Sequence, residues 1–140
     1  MASLKEKIDH YYLEKDYNCA ESTLRIMNDE YGLGLDEDAL KLVGGFGAGM
    51  GCGSSCGVLC AGIAALSRVL IKERSHEDPA NKETCGAFTN AFEKEMGSCM
   101  CAKLKEMYFR EDGTRCYKTV EKGAALLESF LEENCGVKKV

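Results

Sequence analysis

The stretch GGFGAGMGCGSSCGVLCAG, residues 44–62, sets eight glycines and three cysteines into one short segment. Glycine costs roughly 1 kcal/mol per residue relative to alanine inside a helix, so the run up to Gly53 cannot be helix interior. It has to be a connection, and the elements on either side must be joined through it. Those flanks read as helices: apolar residues recur at three- and four-residue spacing, and no period-2 alternation marks a strand. Only one proline interrupts 140 residues. The expectation is an all-α, single-domain compact bundle of about six to seven helices over residues 1–140, with the Gly-rich loop placed before the central helix.

Local signals place the helices. Leu4 to Glu14 forms the first, and Asn18 caps a second from about Cys19 to Glu30, with Glu21 positioned to bond back to the cap. Gly32 and Gly34 end it. Asp36 caps a short third helix, EDALKLV. Ser54 or Ser55 is expected to cap the fourth and most apolar helix, CGVLCAGIAALSRVLIKER. Pro79 lies in the first turn of the fifth, where its missing N–H is harmless. Gly97-Ser98 separates the fifth from a sixth that runs through Tyr108. The last spans about Arg115 to Asn134 and buries Cys116, Val120, Ala124, Leu127 and Leu131 on one stripe.

Several function classes drop out. A net charge of -5 and a pI near 5.1 supply no basic stripe to neutralise phosphates, so nucleic acid is not an expected partner. No apolar run approaches the roughly 20 residues that span a bilayer, so membrane insertion is not expected. The opening MASLKEKIDH has no apolar secretory core, and a cytoplasmic location is the reading that follows. Within the glycine run no register completes G-x-G-x-x-G, and no Gly-Lys-Ser/Thr follows, so no nucleotide is expected. Haem is not expected either, because C-x-x-C-H is absent. His10 and His76 stand alone and read as surface or boundary positions.

Nine cysteines remain to be explained, at 19, 52, 56, 60, 85, 99, 101, 116 and 135. In a reducing compartment such a density means ligands, redox centres or small buried apolar groups. Four of them, Cys19, Cys56, Cys101 and Cys116, fall at or near helix starts, where the dipole and free N–H groups favour a thiolate. Converging helix starts would make one electropositive pocket holding several thiolates. On this reasoning Cys56 should have a lowered thiol pKa and be the most reactive of the set. The glycines gain a role as well. Backbone N–H groups at Gly47, Gly49, Gly51 and Gly57 could approach an anionic centre closely. Cys52 could serve as an auxiliary ligand or resolving thiol, Cys60 and Cys85 read as core, and Cys135 as an exposed residue at a frayed end.

The segments YNCAESTL, GGFGAGMG leading into CGVLCAG, FEKEMGSCMC, and the cysteine before YKTVEKGAALLESFL carry a resemblance. The chain resembles the C_GCAxxG_C_C family of redox-active proteins, also written with a CGAxxG motif, over nearly its whole length. That match assigns the four family cysteines to Cys19, Cys56, Cys101 and Cys116. Val58 stands where the motif has alanine, and Ala61 stands at its final glycine position, with Gly62 one place late. A similar domain in split-Soret-type cytochromes implies an iron–sulfur centre. Three readings follow. One is a redox or electron-transfer protein whose four thiolates ligate an iron–sulfur cluster or another metal. The second is a thiol–disulfide oxidoreductase with Cys56 attacking. The third is a non-catalytic helical scaffold with buried cysteines. A redox partner is implied but not identified, and a homodimer stays open.

Overall fold

The computed structural model describes residues 2–140. Among them are seven α-helices and no sheet: α1 (Leu4–Ile8), α2 (Cys19–Tyr31), α3 (Glu37–Lys41), α4 (Gly57–Leu70), α5 (Pro79–Met96), α6 (Cys101–Tyr108) and α7 (Tyr117–Glu133). The all-α expectation therefore holds.

The apolar spacing explains the packing. Helix α4 carries Val58, Leu59, Ala61, Ala65 and Leu66 into the interior and packs against α2, α5 and α7. Its neighbours supply Leu24, Ile26 and Met27 from α2, Phe88, Phe92 and Met96 from α5, and Val120, Ala124, Leu127 and Leu131 from α7. These side chains form one cluster around the central helix. Burying each large apolar side chain stabilises by about 1.5–3 kcal/mol, which is what holds short helices with modest intrinsic stability.

Four local expectations are corrected. Helix α1 does not continue regularly to Glu14; it widens into a π-helical turn over Asp9–Glu14, on which Tyr12 is buried. Neither Ser54 nor Ser55 caps α4: its N-cap is Cys56, without a side-chain cap bond. Ser54 is otherwise engaged, its N–H on Gly49 O at 2.9 Å and its carbonyl taking the Cys101 N–H at 2.6 Å. Helix α7 begins at Tyr117 rather than Arg115, because Arg115 is left-handed (φ 52°) and exchanges two backbone hydrogen bonds with Arg110 across the Asp112-Gly113 turn. Cys135 is not exposed at a frayed end. It is half-buried against the core, and the tail beyond it is tied down by Val140 N–H on Glu30 O at 2.8 Å.

No helix among the described residues is long and apolar enough to cross a membrane.

Candidate functional site: a cavity lined by four cysteines

Cys19 is fixed by a capping box. Asn18 Oδ1 accepts the Glu21 N–H at 2.9 Å, and Glu21 Oε1 accepts the Asn18 N–H at 3.0 Å. These bonds satisfy orphan donors of α2 and start the helix at Cys19. Asn18 Nδ2 also donates to Gly44 O at 2.9 Å, so the same cap grips the glycine loop. Gly47 lies directly against that amide, where a Cβ would collide with it.

Cys56 and Cys101 are held together by backbone. Between the two helix starts the chain pairs briefly and antiparallel, with Ser55 opposite Met100. Cys56 N–H donates to Cys99 O at 2.7 Å, and Cys101 N–H donates to Ser54 O at 2.6 Å. Cys116 is the N-cap of α7, and its N–H donates to the Tyr12 hydroxyl at 3.0 Å.

All four cysteines therefore stand at the N-cap or first position of a helix, and all four line one cavity of about 170 Å³. Gly57 is in the wall beside them. A Cβ at Gly57 would come 2.8 Å from Cys19 Sγ and 2.9 Å from Phe46 O, so glycine is what lets α2 and the start of α4 approach this closely. Tyr12, Lys105, Arg115 and Thr119 complete the polar lining. The Arg115 guanidinium lies 4.4 Å from the centre of the Tyr12 ring and donates to Tyr12 O at 3.0 Å.

The electrostatics correct one expectation. Burial pushes the Cys56 thiol up to about 12, against the Leu59 and Val58 N–H groups that pull it down. Cys56 is only 4% exposed, and removing a thiolate from water outweighs the field of one helix end. Burial likewise raises the Cys19 thiol, which the N–H groups of Ala48 and Ala20 oppose. Burial, then the neighbouring Cys19 and Cys101, raise Cys116, while Lys105 and Arg115 pull it down. The helix-end donors are thus present, but without a ligand the buried site favours thiols.

Other expected contributors lie elsewhere. Cys52 is exposed, and its thiol donates to Gly49 O at 3.5 Å; it does not line the cavity and is not placed as an auxiliary ligand. Gly51 has open space around its Cβ position and does not line the cavity. Gly49 serves the site indirectly: a Cβ would sit 2.6 Å from Cys101 Cβ. Cys99 turns away, its thiol on Thr89 O at 3.8 Å. All nine cysteines are free thiols. Among the described residues no group of three Cys, His, Asp or Glu side chains is arranged to hold a metal ion.

Sequence reasoning missed Tyr12, Lys105, Arg115 and Thr119. The available signal was slight: Arg115 directly precedes Cys116, and Thr119 lies one turn after it.

Alkylation of the folded, metal-free protein at neutral pH should modify Cys52 first and Cys56 among the last. A rise from 9.0 to about 12 leaves Cys56 about a thousandfold less thiolate. Peptide mass mapping over time checks this, and early labelling of Cys56 would contradict the burial argument.

A family model described as "Putative redox-active protein (C_GCAxxG_C_C)" matches residues 17–130, a span that holds all four cavity cysteines. No curated protein and no solved structure matches the chain.

Proposed function

Because the chain belongs to the C_GCAxxG_C_C family of redox-active proteins, we propose that Cys19, Cys56, Cys101 and Cys116 together ligate an iron–sulfur centre used in electron transfer. The observation that carries this is their shared cavity at four helix starts. Such a centre, when bound, supplies reversible one-electron chemistry.

The residues present fit it. Four thiols are the usual complement for these clusters. The backbone N–H groups of Ala20 and Ala48 favour the ionised form of Cys19, and those of Val58 and Leu59 that of Cys56, so they would help to stabilise these sulfurs as thiolates. Lys105 and Arg115 offset negative charge at the cavity wall. Burial of Cys56 and Cys101 keeps water from that side of the site. Two-iron and four-iron centres are both held by four cysteines, and all four candidates here line one cavity. An electron would come from, and return to, a redox partner at the cavity mouth.

The dithiol reading draws on the short backbone ladder that holds Cys56 beside Cys101. Against it, attack requires an accessible thiolate, and these two residues are 4% and 8% exposed.

The test is anaerobic reconstitution with ferrous iron and sulfide, followed by absorption spectroscopy and iron and sulfide analysis. The expected result is a coloured protein with a stoichiometric centre that bleaches reversibly on reduction. Colourless protein that instead cycles between dithiol and disulfide by mass would overturn it in favour of the dithiol reading.

A further inference from the structure

Thr119, in the first turn of α7, is 3% exposed and lines the cysteine cavity. Its hydroxyl has no hydrogen-bond partner. Other helical threonines behave differently: Thr23 donates to Cys19 O at 2.8 Å and Thr89 to Cys85 O at 2.9 Å, each four residues back. The carbonyl four residues before Thr119 belongs to Arg115 and takes the Arg110 N–H instead. Leaving a buried hydroxyl unpaired costs about 1–3 kcal/mol, and a valine would fill the same space without that cost. The hydroxyl thus has a use only if something in the cavity accepts from it.

We propose that Thr119 Oγ1 donates a hydrogen bond to a sulfur of the centre held by Cys19, Cys56, Cys101 and Cys116, and thereby raises its reduction potential. This rests on the four-thiolate reading above. Taking up one electron makes such a centre more negative by one charge. A donor aimed at its sulfur therefore stabilises the reduced form more than the oxidised form. Arg115 acts in the same direction as a charge, but its side chain is 37% exposed and solvent screens it. Thr119 is dry, so its dipole acts at short range without screening.

The experiment compares wild type, Thr119→Val and Thr119→Ser, each reconstituted with iron and sulfide and titrated with dithionite under an electrode or mediator readout. Thr119→Val should hold the same iron and sulfide content with a more negative potential, and Thr119→Ser should stay at the wild-type value. In the metal-free form, Thr119→Val should melt at or above wild type, because it removes an unpaired group. An unshifted potential in coloured Thr119→Val overturns this proposal alone and assigns the hydroxyl to a water. A lowered melting midpoint in metal-free Thr119→Val also overturns it, since the hydroxyl would then be bonded within the protein. Colourless wild type would sink the four-thiolate reading and this one together.

Discussion

Serine at any one of Cys19, Cys56, Cys101 or Cys116 is expected to abolish the visible absorption of the reconstituted protein, whereas Cys60→Ser, Cys85→Ser and Cys135→Ser keep it. Serine is close in size to cysteine, so the cavity should persist. Its hydroxyl, however, does not ionise near neutral pH and cannot replace a thiolate ligand. The contrast set is chosen by position. Cys85 and Cys135 pack against the core, Cys60 is half-buried on α4 outside the core cluster, and none of the three lines the cavity. Circular dichroism on each variant separates loss of ligand from loss of fold. A full-strength chromophore in any of the four cavity variants would mean that fewer than four thiolates suffice, and the four-thiolate centre would have to be abandoned.

Alanine at Gly49 should cost about 2–5 kcal/mol of folding stability, and alanine at Gly51 only about 1–2 kcal/mol, although the two lie on one loop with similar φ angles. Both are left-handed, at φ 61° and 74°, which penalises a side chain by about 1–2 kcal/mol. Only Gly49 is also enclosed, with Cys101 Cβ 2.6 Å from the position of the added methyl and the Ser54 backbone pressed against it. Overpacking of that kind adds about 1–3 kcal/mol. Denaturant midpoints measure the difference. Because the Gly49 collision is with Cys101 and with the Ser54 backbone that pairs to it, Gly49→Ala should also weaken reconstitution, while Gly51→Ala leaves it intact. Equal losses at the two positions would show that backbone angle alone governs the loop.

Much of this architecture is legible in the sequence where the cause is local. Asn18 with Glu21, Asp36 before its short helix, and Pro79 in the first turn of α5 announce helix starts through bonds made within a few residues. Cys19 at the start of α2 follows from the same signals, whereas α4, α6 and α7, which carry the other three cysteines at their starts, begin without a side-chain cap bond. What could not be read depends on distant chain. Ser54 looks like a cap until Cys101 is seen to occupy its carbonyl. The field at the start of α4 is visible in the sequence, but the burial that overrides it at Cys56 is not. Tyr12 lies on the π-helical turn, is buried and lines the cavity, and its partner is the N–H of Cys116, more than a hundred residues further along the chain.

The placement of the four cysteines on α2, α4, α6 and α7 has a consequence for the chain as a polymer. A ligand gripped by all four would be a cross-link with four arms, closing loops between segments far apart in sequence. Like a set of disulfides, it would shrink the freedom of the unfolded chain as long as the ligand stayed attached. Fraying of any one of those helix starts would loosen one arm, so shedding the ligand and opening the bundle would become steps of a single event. The loaded protein should then be judged by how fast it opens, rather than by how far its equilibrium lies toward the folded form.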